Sequence, residues 1–112
     1  MSCLFCEIAA GNIPSTKVYE DELVYAFRDI APQAPVHVLI IPKKHIKSAQ
    51  TLGAEDDALL CHMFACARQI AESEGVAASG YRIITNVGDD AGQSVHHLHL
   101  HLIGGKPLKW DN

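Results

Sequence analysis

Histidines are concentrated near the end of the chain, in the segment QSVHHLHLHLIGG from Gln93 to Gly105. If this segment is a strand, alternate side chains point to opposite faces, and His97, His99 and His101 share one face. Successive rings would then lie roughly 6 to 7 Å apart, close enough to act together on one bound group. Imidazole has a pKa near 6.5, so this face offers a nucleophile or base beside a proton donor.

Two kinds of chemistry fit such a face, and the residues leave both open. Gly92, Gln93 and Ser94 directly precede the histidines, and Asn86 and Gly88 lie in the same loop. Backbone N–H groups and a hydroxyl placed there can bind an anion. An imidazole beside that loop can attack phosphorus and carry a phosphoryl or nucleotidyl group covalently, while nearby donors stabilise the developing charge. A metal site made of the same histidines is the main alternative.

The cysteines form a second candidate site. Cys3 and Cys6 have the Cys-x-x-Cys spacing that lets two thiolates reach one tetrahedral metal. The same spacing fits a redox pair or two unlinked thiols. Cys61 and Cys66 lie five residues apart in a predicted helix, where their side chains do not stack, so we interpret them as ordinary packed thiols.

Composition narrows the class of protein. The chain has 112 residues and a net charge of −4, which fits one domain spanning residues 1–112 and gives no basic stripe for binding nucleic acid. A single nucleotide remains a plausible partner. No apolar run approaches the ~20 residues of a membrane span, and the N-terminus lacks the positive charge of a signal peptide. We therefore expect a soluble, cytoplasmic protein with neither a nucleic-acid nor a membrane partner.

Hydrophobic periodicity supplies the elements that must position these residues. It predicts a short N-terminal helix at 5–10, strands at 17–20, 23–29 and 36–42, a long helix at 54–74, and strands at 81–86 and 96–103. The order β-β-β-α-β-β predicts an α+β domain, an antiparallel sheet with the long helix against one face.

A family resemblance rests on several segments together. Gln93 to Ile103 resembles the histidine triad motif, His-φ-His-φ-His-φ-φ with φ apolar. FRDIAPQAPVHVLIIPKKH from Phe27 to His45, FCEI at Phe5 and GGKPLKW up to Trp110 resemble the Hint branch of the histidine triad (HIT) family, so the resemblance covers nearly the whole chain. It implies a HIT-like fold, a homodimer with a continuous sheet, and a C-terminal segment near Trp110 that reaches toward the partner's site. The implied activity is hydrolysis of purine nucleoside 5′-phosphoramidates through a nucleotidyl-histidine intermediate.

The resemblance also assigns roles by position. His99 is the expected nucleophile, His101 and His37 contact the α-phosphate, and Ser94 contacts phosphate and assists the leaving group. Asp29 accepts hydrogen bonds from the ribose hydroxyls. The remaining expected nucleotide contacts are Phe5, Ile8, Phe27 and Ile30 around the purine base, and Asn86, Gln93 and Val95 near the phosphate.

Each of these roles has a simpler structural interpretation. The apolar side chains could be plain core, Asp29 could bond its own backbone, His37 could be a strand-edge residue and Ser94 could cap a loop. His62 and His96 are assigned no catalytic role, and alternation places His96 on the leucine face of the last strand.

A structural zinc site is also implied. Some histidine triad proteins, and the related galactose-1-phosphate uridylyltransferases, pair a Cys-x-x-Cys with two histidines. The matching residues here are Cys3, Cys6, His45 and His97.

Other functions remain open. The chain could be a nucleotide-binding or interaction module with incidental hydrolysis, a Fhit-like dinucleoside polyphosphate hydrolase, or a zinc-dependent protein whose histidines are all ligands.

Overall fold

The computed structural model describes residues 3–110 and confirms the predicted α+β fold. The described range contains two α-helices, α1 (Leu4–Ala9) and α2 (Asp57–Ser73). Its five strands are β1 (Lys17–Glu20), β2 (Val24–Arg28), β3 (Val36–Pro42), β4 (Tyr81–Ile84) and β5 (Leu100–Gly104). Short 3-10 helices occur at Ala49–Thr51, Ala54–Asp56 and Asp89–Ala91. The second of them leads into α2, which is why the helix begins three residues later than periodicity predicts.

The strands form one antiparallel sheet in the order β1-β2-β3-β5-β4. The central strand β3 is buried along its whole length and pairs with β2 and β5. In the β3–β5 ladder, His37 is opposite Ile103 and Leu39 is opposite His101. His37 and His101 are therefore diagonal neighbours, within reach of each other across the ladder.

Two hydrophobic clusters cover the two faces of the sheet. Helix α2 supplies Met63, Cys66 and Ile70 to the first cluster, where they meet Leu98 and Leu100. Helix α1 covers the other face with Phe5 and Ile8. That second, smaller cluster also contains Tyr25, Phe27, Leu39 and Ile41. The shorter helix therefore closes the face on which the catalytic candidates lie.

The last strand is shorter than predicted. The prediction of a strand over 96–103 is wrong at its start, because β5 begins only at Leu100. The backbone before it pairs elsewhere: the Leu98 N–H donates to the Ile46 carbonyl at 2.6 Å, and the His97 N–H donates to Val95 at 2.9 Å. These partners lie outside the β3 ladder, so the segment bends.

Side-chain alternation largely survives the bend. Leu98, Leu100 and Leu102 all enter the first cluster, while the His97 and His99 rings lie against Phe5. His96 departs from the pattern, because it is exposed and lies outside the cluster that the leucines enter. No helix within the described range is both long and apolar enough to cross a membrane.

Candidate active site and metal centre

The hydrogen bonding of His99 defines which of its ring nitrogens is free to react. Its Nδ1 lies 2.7 Å from the backbone carbonyl oxygen of His97. A carbonyl oxygen can only accept, so Nδ1 carries the proton and the neutral ring keeps a lone pair on Nε2. The ring is almost buried, at 6% exposure, and the edge of Phe5 packs against it with 5.0 Å between centroids. Tautomer and orientation are therefore both fixed.

A chain of hydrogen bonds fixes the tautomers of the other two rings. The backbone N–H of Gln33 donates to His37 Nδ1 at 3.0 Å, which leaves the His37 proton on Nε2. That proton is directed at His101 Nδ1, 2.9 Å away. His101 must then carry its own proton on Nε2. The chain thus ends in an N–H donor, on a ring whose centroid is 5.1 Å from that of His99.

Burial keeps these two rings neutral. It lowers the pKa of His37, and the nearby Asp29 carboxylate offsets part of that effect. Burial, with the neighbouring His99 and His37 rings, lowers the pKa of His101 to about 4. Near neutral pH both rings are therefore uncharged, and the chain of fixed tautomers is maintained.

Asp29 serves both its own turn and the site. Its Oδ1 accepts the Ala31 N–H at 2.8 Å, so the predicted local backbone bond is present. Its Oδ2 faces the histidines, 3.4 Å from His37 Nε2. One carboxylate oxygen is thus held by the turn while the other is presented to the site.

A cavity of about 460 Å³ adjoins the histidines. It is lined by Asp29, Ala31, Gln33, His37, Ile84, Asn86, Ala91, His101 and Ile103. Its size falls within the range of small-molecule sites. Four predicted site residues, Asp29, His37, Asn86 and His101, therefore surround one space.

The residues expected to hold the purine base divide into two groups. Phe5, Ile8 and Phe27 are buried together in the second hydrophobic cluster. Ile30 is fully exposed at 101% and lies outside that cluster. Their contact with a base stays a prediction, and the structure also supports a core role for the three buried residues.

The loop before the histidines is held by Gln93. Its Oε1 accepts the Gly88 N–H at 2.9 Å, and its Nε2 donates to the Lys47 and Val95 carbonyls at 2.8 and 3.1 Å. The Gln93 N–H donates to the Gly88 carbonyl at 3.1 Å. Because these groups already have partners, the side chain shapes the loop, whereas the expected nucleotide contact stays a prediction.

The next two residues of this loop, Ser94 and Val95, differ in their exposure to solvent. Ser94 is exposed and Val95 is partly buried, and their phosphate contacts stay predictions.

Gln33 was not anticipated from the sequence. It contributes a backbone N–H, which any residue except proline supplies, so no sequence pattern could reveal it.

The four predicted metal ligands converge at one point. His97 Nδ1 lies 3.3 Å from Cys3 Sγ, 3.5 Å from Cys6 Sγ and 3.2 Å from His45 Nδ1. Cys6 Sγ is 3.4 Å from His45 Nδ1. A tetrahedral zinc ion with ordinary bond lengths separates its sulfur and nitrogen ligands by about 3.6 Å, and two nitrogens by about 3.3 Å. The spacing of these donor atoms therefore fits a Cys2His2 metal site.

His97 links the metal centre to His99. Its Nε2 lies 2.8 Å from the Pro42 carbonyl oxygen, which only accepts, so Nδ1 keeps the lone pair that a metal needs. Burial lowers the pKa of His97, which keeps that lone pair available near neutral pH. The backbone carbonyl of the same residue accepts the proton of His99. One buried residue thus contacts both the candidate metal ligands and His99.

These features define a class: an antiparallel α+β domain that sets an oriented histidine beside a chain of neutral histidines at the centre of the sheet. The HIT domain matches residues 10–108, and the chain belongs to the histidine triad (HIT) family. Cys3 and Cys6 precede the matched range, so half of the metal centre lies outside it.

Relatives and solved structures agree with this assignment. The chain is 50% identical over 105 residues to the purine nucleoside phosphoramidase of Escherichia coli K12, covering 94% of this chain and 88% of that protein. It superposes on a HIT family hydrolase from Legionella pneumophila with a TM-score of 0.96 and 50% identity, covering 97% of both chains. A histidine triad protein from Clostridium difficile gives a TM-score of 0.94 and 46% identity, covering 97% of this chain and 95% of that one.

Proposed function

We propose that this protein hydrolyses purine nucleoside 5′-phosphoramidates to the nucleoside monophosphate and an amine. The observation that carries the proposal is the His99 tautomer, which leaves a lone pair on Nε2 beside neutral donors. The phosphoramidase named among the relatives supports the choice of a phosphorus–nitrogen bond.

The reaction proceeds in two displacements. In the first, the Nε2 lone pair of His99 attacks the α-phosphorus, the P–N bond breaks, and the amine leaves with one added proton. The exposed Ser94 hydroxyl assists by delivering that proton from solvent. In the second, water attacks phosphorus and releases one proton to solvent, the P–Nε2 bond breaks, and His99 recovers its lone pair. The net change consumes one water and returns the enzyme unchanged.

The remaining residues bind and orient the nucleotide. His101 donates its Nε2 proton to a phosphate oxygen, and His37 holds His101 in the required tautomer. The free oxygen of Asp29 accepts from the ribose hydroxyls. Asn86 and the backbone amide of Val95 complete the phosphate contacts. Phe5, Ile8, Phe27 and Ile30 surround the base.

Replacement of the nucleophile tests the proposal. His99→Gly should reduce turnover of an adenosine phosphoramidate by roughly 10³-fold or more while AMP still binds, because the attacking imidazole is lost and the other proposed nucleotide contacts remain. His96→Ala is the matched control, since that exposed histidine lies three residues away and is expected to be dispensable. Turnover by His99→Gly close to that of the unmodified protein would refute the assignment.

A substrate panel separates the competing functions. Faster turnover of dinucleoside polyphosphates than of phosphoramidates would favour a Fhit-like hydrolase. Tight AMP binding without turnover of either substrate would favour a nucleotide-binding module. The proposed function predicts phosphoramidates as the preferred class.

We also propose that Cys3, Cys6, His45 and His97 hold a structural zinc ion. With four protein ligands the site is closed, so the ion would fasten α1 to the segment that carries His99 without contacting substrate. A Cys3→Ser, Cys6→Ser double variant should lose this zinc and stability while keeping activity, and Cys61→Ser is the matched control because Cys61 is exposed on α2. Loss of all activity in a folded double variant would instead favour a catalytic metal.

The homodimer is a further part of the proposal. Strands β1 and β4 form the edges of the sheet, and an edge strand can pair with a second chain. Trp110 is 96% exposed in the single chain, which fits a C-terminal segment that reaches a partner. Light scattering on the purified protein should give twice the chain mass, and a monomeric mass would reject the dimer.

A further inference from the structure

A second group of metal-ligating side chains lies apart from both centres. It consists of Asp21, in the turn after β1, with His62 and Cys66 on α2. His62 and Cys66 are four residues apart, so they lie one above the other on the same face of the helix. Asp21 Oδ2 is 2.6 Å from His62 Nε2 and 3.8 Å from Cys66 Sγ, and Cys66 Sγ is 3.6 Å from His62 Nε2.

The carboxylate is fixed in the orientation that a ligand requires. Asp21 Oδ1 accepts the backbone N–H groups of Leu23 and Val24 at 2.8 and 2.9 Å, which holds the side chain to its own turn. Oδ2 is left to face the helix, where it also accepts the Tyr19 hydroxyl at 2.7 Å. An outer hydrogen bond of this kind orients a ligating carboxylate.

The three residues of this group differ in their exposure to solvent. The Cys66 residue is only 1% exposed, so its thiol is shielded from bulk solvent. The side chains of His62 and Asp21 are 37% and 25% exposed, so these two donors are in partial contact with solvent. A metal entering there would meet a sulfur, a nitrogen and an oxygen, and a water could take the fourth position.

We propose that Asp21, His62 and Cys66 form a second metal site, which binds a divalent transition metal, zinc first. A tetrahedral ion separates sulfur from its nitrogen and oxygen neighbours by about 3.6 Å, close to the two sulfur distances above. The His62–Asp21 contact lengthens by less than about 1 Å, a change that a partly exposed imidazole can make. Binding releases the thiol proton and requires the Nδ1–H tautomer of His62, whose Nε2 lone pair then faces the metal. Thiolate and imidazole donors select against magnesium and calcium, which prefer oxygen.

Metal stoichiometry tests the site. After loading with zinc and removal of excess, the unmodified protein should hold one more zinc per chain than His62→Gln. The partly exposed position of His62 makes that variant suitable, and His96→Gln is the control because it changes an exposed histidine elsewhere. Equal zinc content in the unmodified protein and His62→Gln would overturn the proposal.

The absorbance of bound Co²⁺ tests the second site separately when it is measured in the Cys3→Ser, Cys6→Ser variant, which lacks the two thiolates of the first site. Titration with Co²⁺ should produce a thiolate charge-transfer band that disappears with Cys66→Ala and persists with Cys61→Ser. Adding His62→Gln should weaken cobalt binding at least roughly tenfold, since even outer contacts of ligands have effects of that size. A band that survives Cys66→Ala, or no band in the folded background protein, would reject the site. Because the background lacks the first metal centre, this result is independent of the zinc proposal above.

Discussion

Acidification should destabilise the protein through His101, and the effect can be calculated. The ring has a pKa of about 4 in the folded protein against an ordinary value of 6.5. Between those values the unfolded chain binds more protons than the folded one, so the free energy of unfolding falls as pH drops. Each pKa unit corresponds to about 1.4 kcal/mol. This ring alone should therefore remove about 2 kcal/mol between pH 8 and pH 5, and about 3 kcal/mol by pH 4.

The measurement compares the unmodified protein with His101→Asn. Asparagine keeps an acceptor for the His37 Nε2–H and cannot titrate, so the variant should show a shallower loss of stability from pH 8 to pH 5. A residual slope is expected because the pKa values of His37 and His97 are also lowered by burial. Urea unfolding should be followed by far-ultraviolet circular dichroism, since the single tryptophan, Trp110, is exposed and reports little of the core. A chelator and a constant protein concentration exclude metal and assembly effects.

An identical loss of stability in both proteins would refute the reasoning. It would mean that His101 is not neutral by burial, and the tautomer chain from Gln33 through His37 would lose its basis.

Three further predictions concern the loop before the histidines, the core and one ion pair. Gln93→Met should lower turnover about tenfold or more with little change in fold, because the hydrogen bonds to Gly88 and two carbonyls that shape the loop are lost; unchanged kinetics would contradict this. Leu102 is 0% exposed, so Leu102→Ala should lower the free energy of unfolding, measured with denaturant, by ~2–5 kcal/mol. Leu4 is 48% exposed, so Leu4→Ala should change that free energy by no more than about 0.5 kcal/mol. Glu74→Gln should cost at most about 1 kcal/mol, and high salt should reduce the difference, because its two contacts with Arg28 lie partly exposed.

The fold was predictable because its signals are local. A short, almost continuous apolar run that ends at Pro42 identified β3, and helical spacing identified α2, each within one short window. The start of β5 was not predictable in this way. Its position depends on two hydrogen bonds made before Leu100: the Leu98 N–H binds the Ile46 carbonyl, and the His99 ring binds the His97 carbonyl. Side-chain alternation does not encode either contact.

The site was predictable only where spacing or resemblance pointed to it. The spacing of Cys3 and Cys6 allows a metal pair among other interpretations, whereas His45 entered through the family resemblance, and its position beside the cysteines required the fold. The group at Asp21 and His62 escaped detection because its members are 41 residues apart. From the sequence, Cys66 was compared with Cys61, the nearest cysteine along the chain. In the structure its contact is with His62.

The contact between His99 and the His97 carbonyl has an evolutionary consequence. The acceptor that fixes the His99 ring is a main-chain oxygen, which every residue type possesses, whereas the proposed metal contact would use the imidazole of the same residue. Descendants of such a protein could therefore lose the cysteines and then the His97 ring while the tautomer of His99 is kept. The proposed metal site and the proposed nucleophile, although they meet at one residue, could be inherited separately.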